Sequence, residues 1–298
     1  MFIFYRNQNY YSYIIGKTYP TELRYIYFSY HAFYYEILRS RFISREESVI
    51  KTRLSYWENR LEEVVKFYNT SNIENKVVDK KSSYTDIIDP IEVGLKYSVL
   101  NSKIKIDTLF RIIDYQFFDL DKKSIIKDME ELEIYAENTR SLLLYLNLNL
   151  LKVNDSEAYV IASHVGRALG IIDVIKKTST MLKIDINLMP RTLIDKYAGN
   201  YNLLIDRRGD VSENFYDIIL EMAAYSKKHL EVARELYNKH KENINPNAYV
   251  AFLDAVEGSV YLDKLEEYNF NCNNVNLNKI STFKIPRLIL KKGKSKEF

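Results

Sequence analysis

Glycine is scarce in this chain of 298 residues, with 8 where average usage of about 7% would give roughly 21. Tight turns and loops that cradle phosphate depend on glycine, because it adopts positive φ without steric cost. We therefore expect neither a Rossmann fold nor a P-loop, and many-stranded β folds are also disfavoured. A helical fold is favoured instead.

Cysteine is nearly absent, since Cys272 is the single one. One thiol excludes a disulfide scaffold and a zinc site built on cysteines. The four histidines, His31, His164, His229 and His240, do not cluster at the spacing of metal ligands. The sequence therefore predicts no bound metal.

Charge of one sign is not in excess, because 43 Lys and Arg stand against 40 Asp and Glu, for a net charge of +3. A surface built for nucleic acid would be strongly basic, so we expect no nucleic-acid partner. The longest apolar run, Ser141 to Leu151, is too short for a membrane span. Residues 1–13 show neither a secretory cleavage site nor a convincing transit peptide.

What is present is a succession of helix signals. Ser44 to Glu47 forms a capping box, and Asp89 before Pro90 is typical of a helix start. The polar residues 70–85 between these helices predict a loop. Apolar stripes predict further helices near residues 106–113, 129–151, 158–172, 190–199, 216–223 and 246–260. We predict one all-α domain over residues 1–269 and an Asn-rich, basic tail over 270–298.

Several charged groups could suggest chemistry, but a structural interpretation is favoured for each. Acidic residues at 119–121 and 128–133 are typical of a loop and of a first helical turn, which the helix dipole stabilises. His164 lies on the small-residue stripe of 158–172, where a buried, hydrogen-bonded histidine is favoured over a catalytic one. The lysines at 291, 292, 294 and 296 predict a solvated terminus, with docking to an acidic partner or anionic lipid as the alternative.

Six short motifs follow one another along the chain. Residues 30–37 (YHAFYYEI) come first, and Arg53 and Trp57 follow. The others are 135–139 with 141–146 (YAENT, SLLLYL), 162–172 (ASHVGRALGII), 188–190 (LMP) and 261–265 (YLDKL). Together, from about residue 6 to 269, they resemble the squalene/phytoene synthase superfamily. The resemblance is greatest to a branch that contains a mitochondrial assembly factor of respiratory complex I.

This resemblance implies an all-α isoprenoid-synthase bundle around a central cavity. In active members, two Asp-rich helix motifs hold Mg²⁺, which binds the diphosphate of a prenyl substrate. Metal ions are needed because the departing diphosphate develops negative charge that must be neutralised as a carbocation forms. The family's activity therefore depends on carboxylates at fixed positions.

Those carboxylates are missing from this sequence. The family's aspartates would fall on Leu38, Arg39, Phe42, Lys177 and Met181. Glu36 and Asp173 remain nearby, but two scattered acids do not rebuild a site for several magnesium ions. We therefore expect no metal, no cofactor and no prenyl transfer. An active magnesium-dependent prenyl diphosphate synthase with rearranged ligands is the alternative.

A cavity could persist without the chemistry. Arg39, Arg167, Lys176 and Lys177 could replace metal ions as counter-charges for an anionic lipid or diphosphate head group. Helices rich in Tyr and Leu could hold a prenyl or acyl tail, as in a lipid carrier. The opposing interpretation, which the 14% of aromatic residues favours, is a bundle filled by its own side chains.

The resemblance implies an interaction protein rather than an enzyme. Its expected partners are subunits or assembly intermediates of complex I, with a second synthase-like chain as a further possibility. Its expected place is the mitochondrion, peripheral on the matrix side of the inner membrane. Whether it is an accessory subunit or a transient assembly factor is left open by the sequence.

Overall fold

The computed structural model describes residues 9–41, 43–44, 46–74, 89–102, 105–121, 126–182, 188–200, 204, 212–277, 279, 281 and 283–298. Within these ranges, every regular element is a helix and none is a strand, which confirms the predicted all-α class. The chain divides into two compact units, Met1–Leu120 and Asp121–Phe298. The single domain over residues 1–269 stays a prediction.

The described residues of the first unit form five helices. They are α1 (Tyr10–Gly16), α2 (Thr21–Ser40), α3 (Glu47–Glu74), α4 (Pro90–Ser102) and α5 (Ile106–Asp121). The predicted start of α4 is confirmed, because Asp89 Oδ1 accepts a 2.7 Å hydrogen bond from the backbone N–H of Ile91. The predicted loop begins too early, since α3 continues to Glu74; residues 75–88 lie outside the described part of the chain.

Aromatic side chains fill the core of the first unit. Helix α2 packs against both α3 and α4 and buries Tyr27, Tyr30 and Phe33 completely. The ring of Phe33 meets that of Trp57 on α3 edge to face, with 5.7 Å between centroids. Such pairs add to the hydrophobic burial of large rings. The abundance of aromatic residues in the sequence is thus explained here by packing.

The second unit contains eight α-helices and one π turn among its described residues. They are α6 (Met129–Ala136), the π turn (Glu137–Ser141), α7 (Leu142–Leu150), α8 (Ser156–Leu182), α9 (Arg191–Tyr197), α10 (Glu213–His240), α11 (Ala248–Ala251), α12 (Asp254–Glu267) and α13 (Lys284–Ser295). The acidic residues 128–133 form the start of α6, as expected. Asp128 also caps this helix, because its Oδ1 accepts a 3.0 Å hydrogen bond from the backbone N–H of Glu131.

Helix α8 is the central helix of the second unit, as its small residues predict. It packs against α6, the π turn, α7, α10 and α12. A Cβ at Gly166 would lie 2.5 Å from the Cα of Ser141, and one at Gly170 would lie 2.7 Å from the Cα of Ala136. Only glycine, which has no Cβ, lets α8 come this close to the π turn and to the end of α6. By length and composition Ser156–Thr178 is also apolar enough to cross a membrane, which the sequence analysis did not predict. However, 67% of its most apolar stretch is buried inside the protein.

Two predictions for the last third of the chain are wrong. The helix predicted to follow Asn245 and Pro246 is broken between α11 and α12. Residues 250–256 are all buried, whereas one straight helix buries a single stripe, so the backbone must turn there. The apolar stripe predicted on α10 is also only partly buried, since Ile219 and Ala223 are buried but Leu220 is 43% exposed.

The C-terminal tail is not simply a solvated terminus. Residues 284–295 form α13, which buries Ile289 completely, and Phe298 is only 4% exposed. The ring of Phe298 lies 5.2 Å from that of Tyr237 and 5.1 Å from that of Phe252, measured between centroids. The tail lysines do remain mostly exposed, as expected. The terminus is therefore anchored by its apolar residues.

Candidate functional site

The second half of α8, where the family's second metal-binding motif falls, lies in a charged cluster of the second unit. We call it the Arg140 cluster, and its six members are Arg140, Asp173, Lys176, Lys177, Asp254 and Glu257. Arg140 comes from the π turn, the next three from α8, and the last two from α12. The cluster thus joins three segments that are distant in sequence.

Several members of the Arg140 cluster form ion pairs with one another. The Arg140 guanidinium lies 3.7 Å from Asp254 Oδ1 and 4.0 Å from Asp173 Oδ2. Lys176 Nζ lies 2.6 Å from Glu257 Oε1. Three cations face three acids, so the formal charges of the cluster cancel. A site that balances its own charges does not require metal ions to neutralise carboxylates.

The two lysines of the Arg140 cluster have opposite electrostatic surroundings. Burial by itself would lower the pKa of Lys176, but Glu257 and Asp173 more than offset it and hold the pKa above its usual value. Burial, with Arg140 and Lys176 nearby, lowers the pKa of Lys177, and Asp173 opposes the effect. Lys176 is thus a charged partner of Glu257, whereas the surroundings of Lys177 disfavour its charged form.

A second polar network occupies the other end of the π turn. We call it the Glu137 cluster, and its members are Glu133, Glu137, Tyr145, Ser163, His164, Arg167 and His229. Glu137 accepts hydrogen bonds from Tyr145, from Ser163 at 2.8 Å and from Arg167 at 3.1 Å. These bonds more than offset the effect of burial and hold the pKa of Glu137 below its usual value.

The network continues from Arg167 to the predicted histidine. Arg167 also pairs with Glu133 at 3.3 Å, and Glu133 lies 3.3 Å from Nε2 of His229. The Nδ1 atoms of His229 and His164 are 2.9 Å apart. Burial, with His229 and Arg167 nearby, lowers the pKa of His164. His164 is therefore half-buried and hydrogen-bonded, close to the structural role that the sequence predicts.

The first unit contains a charged group beside an apolar cavity. Glu36, whose side chain is 8% exposed, pairs with Arg53 and, at 3.4 Å, with Arg39. Next to it lies a cavity of about 780 Å³, within the roughly 300–1,000 Å³ of small-molecule pockets. Among the described residues, its lining includes Tyr56, Trp57, Ile91, Arg53 and Glu36.

The residues present do not fit the magnesium sites of the family. Leu38, Arg39 and Lys177 have no carboxylate, and the two remaining acids, Glu36 and Asp173, face guanidinium groups. Phe42 lies outside the described residues, and of Met181 only the backbone is described. Across the described ranges, no three His, Cys, Asp or Glu side chains are placed to hold a metal ion.

The four cations predicted to face an anionic head group lie in separate surroundings. Arg39 belongs to the first unit. Arg167 and Lys176 both lie on α8, but their separation in sequence amounts to about 14 Å along the axis and half a turn. Arg167 therefore belongs to the Glu137 cluster, and only Lys176 and Lys177 lie together. Their contact with an anionic ligand stays a prediction.

The side chains that pair with the charged residues of α8 were not predicted from the sequence. Arg140 directly precedes an apolar run, and Asp254 stands between buried residues. A charge inside an apolar stretch is the signal that could have identified both, since buried charges are usually paired. Glu257 offers no such signal in the sequence, because it lies on a mixed face of α12.

Comparisons with known proteins identify the same class of protein as the sequence motifs do. Residues 6–287 match the family model described as squalene/phytoene synthase. The fold resembles a squalene synthase, HpnC, from Alicyclobacillus acidocaldarius, with a TM-score of 0.67 and 14% identity over 90% of this chain and 92% of the other. It also resembles a dehydrosqualene synthase solved with a ligand, with a TM-score of 0.70 and 15% identity over 99% and 94%. The fold is that of the all-α isoprenoid synthases, as predicted.

Curated relatives have a different kind of name. The chain is 26% identical to NADH dehydrogenase (ubiquinone) complex I, assembly factor 6 of Mus musculus over 89% of this chain and 73% of that protein. The Homo sapiens protein of the same name gives the same figures. A homologue of that factor in Dictyostelium discoideum is 30% identical over 80% of this chain and 61% of its own length. Since the family model covers nearly the whole sequence, the chain belongs to the squalene/phytoene synthase family.

Proposed function

We propose that this chain is a non-catalytic member of its family that helps to build respiratory complex I through protein contacts. The observation that supports this most is the similarity, over 89% of the chain, to proteins named as complex I assembly factors. The self-neutralised Arg140 cluster agrees with it, because three acids that could ligate a metal are instead directed at Arg140 and Lys176.

The absence of catalysis is tested by measuring pyrophosphate release. Purified full-length protein is incubated with Mg²⁺ and farnesyl or geranylgeranyl diphosphate, beside an active squalene synthase as positive control. We expect no release above background, because the side chains at positions 38, 39 and 177 cannot ligate magnesium. Turnover would establish the alternative, a prenyl diphosphate synthase with rearranged ligands.

The assembly role is tested by sedimentation of the native protein. Mitochondria containing a tagged copy of the chain are solubilised gently and separated on a density gradient. Migration with incomplete complex I would identify an assembly factor, and migration with the mature enzyme an accessory subunit. A chain that migrates alone, and whose removal leaves complex I at its normal level, would refute the proposal.

The proposed location is the mitochondrion, with the protein peripheral on the matrix side of the inner membrane. The names of the curated relatives support the compartment, and the side and the mode of attachment are our extension of them. Protease treatment of mitochondria and of opened mitoplasts, followed by carbonate extraction, distinguishes matrix from intermembrane space and peripheral from integral. A second synthase-like chain, if it is a partner, would be recovered with the tagged protein by mass spectrometry.

The cavity of the first unit is the proposed place for a lipid or isoprenoid tail. Its lining is mainly apolar, and its volume of about 780 Å³ is large enough for such a chain. Native mass spectrometry of the purified protein should then show a bound lipid. A matched pair of variants locates it: Thr52→Phe narrows the cavity and should release the lipid, whereas Thr70→Phe, exposed on the same helix, should retain it.

A further inference from the structure

The last helix of the chain presents one strongly basic face to solvent. Exposed residues of α13 and of the position before it recur at intervals of three and four, which places them within about a third of the helix circumference. They are Phe283, Lys284, Arg287, Leu290, Lys291 and Lys294. We call this set the outward face of α13.

The opposite side of α13 is fixed to the second unit. Ile285, Pro286 and Ile289 are buried. Beyond the helix, the backbone carbonyl of Lys296 accepts a 2.8 Å hydrogen bond from the hydroxyl of Tyr237. The helix is thus anchored along its apolar side, and the outward face is held in one orientation.

Positive charge is concentrated on this short segment. Residues 284–298 contain six Lys or Arg and a single acid, Glu297, whose carboxylate lies 2.9 Å from Lys292 Nζ on a different side of the helix. The whole chain has a net charge of only +3, so the rest of it is slightly acidic. The basic segment is therefore a local feature and not a consequence of overall composition.

Large apolar side chains stand among these cations. Phe283 is 73% exposed and Leu290 is 49% exposed. The guanidinium of Arg287 lies 6.0 Å from the centre of the Phe283 ring. Protruding aromatic and aliphatic groups flanked by Lys and Arg are typical of surfaces that insert at the boundary between lipid headgroups and acyl chains. A purely electrostatic site for an acidic protein would not need them.

We propose that the outward face of α13 docks this protein on the surface of an anionic phospholipid bilayer. Phe283 and Leu290 enter the interface, and the four cations contact lipid phosphates. Each cation near an anionic membrane surface contributes roughly a factor of five to binding. The inference deepens the peripheral location proposed above and gives it a definite surface.

Vesicle sedimentation with the full-length protein tests the proposal. The protein is mixed with vesicles of phosphatidylcholine alone or of phosphatidylcholine with phosphatidylglycerol. We expect binding to the mixed vesicles that weakens as salt is raised, because exposed charges are screened. The variant K284Q/R287Q/K291Q/K294Q should bind at least about a hundredfold more weakly, and F283S/L290S several-fold more weakly at the same charge.

A matched variant controls for net charge. K66Q/K227Q/K228Q/K239Q removes four exposed lysines that lie outside α13 and should bind as the wild type does. Circular dichroism and urea unfolding establish that each variant is folded. Equal binding to neutral vesicles, or equal loss in the two quadruple variants, would overturn the proposal. So would a wild type that ignores anionic vesicles but is retained by immobilised polyglutamate through the same four cations, since that outcome indicates an acidic protein partner.

The outcome is separate from that of the proposed function. Vesicle binding is measured with purified components, so it does not depend on complex I. A protein that binds anionic vesicles but leaves complex I unaffected would retain this inference and lose the assembly role. A protein that comigrates with complex I intermediates but does not bind vesicles would retain the assembly role and lose this inference.

Discussion

Arg140 and Asp254 face each other in the interior of the second unit, with 3.7 Å between Nη2 and Oδ1. Their side chains are 6% and 5% exposed. Both come from irregular places, Arg140 from the π turn and Asp254 from the start of α12, just after the break that follows α11. Because a buried charge is costly unless it is paired, this contact links the conformations of the two irregular segments.

Removing one partner of this pair should destabilise the protein strongly. Arg140→Met leaves the carboxylate of Asp254 buried without the guanidinium, and we expect a loss of about 3–5 kcal/mol in the free energy of unfolding. Arg140→Met combined with Asp254→Leu removes both charges and should recover at least half of that loss. Urea unfolding measures all three proteins.

An exposed pair provides the control for this prediction. Arg191 and Asp195 lie 3.4 Å apart on α9, and both side chains are more than half exposed. Arg191→Met should therefore cost no more than about 1 kcal/mol. Comparable losses for Arg140→Met and Arg191→Met would contradict the importance assigned to burial.

Adding one methyl group at the centre of α8 should also destabilise the second unit. Gly166→Ala would place its Cβ 2.5 Å from the Cα of Ser141, so the two segments must separate. Such overpacking costs about 1–3 kcal/mol, more than the gain of about 1 kcal/mol in helix propensity. Thermal and urea unfolding should both show the loss.

Gly293 provides the control for this prediction, because an added Cβ meets no clash there. At Gly293 on α13, the nearest atom to an added Cβ is Leu253 Cδ1 at 3.8 Å, an ordinary contact. Gly293→Ala should be neutral or stabilise the protein by up to about 1 kcal/mol, because only the helix propensity changes. If both substitutions destabilised equally, close packing at Gly166 would not be the cause.

Local signals in the sequence predicted most of the fold. The cap at Asp89 forms as expected, because a cap depends on a few neighbouring residues. The acidic residues 128–133 likewise form the start of a helix, as expected. The break after α11 was missed, since it arises from burial of residues 250–256 on several sides, which no single helical stripe encodes. The family motifs predicted the overall fold, because they include residues that pack against partners far away in the chain.

The candidate site was less predictable than the fold. The missing carboxylates at Leu38, Arg39 and Lys177 could be identified by position alone. The ion pair of Lys176 with Glu257 could not, because it connects α8 with α12 across a separation of 81 residues. Pairings of this kind depend on tertiary structure, and a single sequence contains no record of which charges meet.

Cys272 should be chemically inert in the folded protein. Its side chain is buried, with 3% exposure, and burial raises the pKa of the thiol to about 12. Since the thiolate is the nucleophile, alkylation near neutral pH should be slow. Mass spectrometry after iodoacetamide treatment should show little modification of the native protein and complete modification in urea. Rapid labelling of the native protein would show that the site opens.

His164 of the Glu137 cluster should make the stability of the protein depend on pH. Burial, followed by the proximity of His229 and Arg167, lowers the pKa of His164, while Glu133 and Glu137 oppose the shift. The unfolded chain then binds a proton more readily than the native protein does. The stability contributed by the neutral ring is complete above the unfolded pKa of about 6.5 and is lost as the pH falls through the lower, folded value.

His164→Gln isolates this contribution, because glutamine keeps a polar group on α8 without the titration. Urea unfolding between about pH 7.5 and 5.5 should show the wild type losing stability towards acid and the variant losing less. The range stays above the pH at which carboxylates such as Glu137 titrate. If His164→Gln and the wild type lost stability in parallel, protonation of His164 would not be the cause.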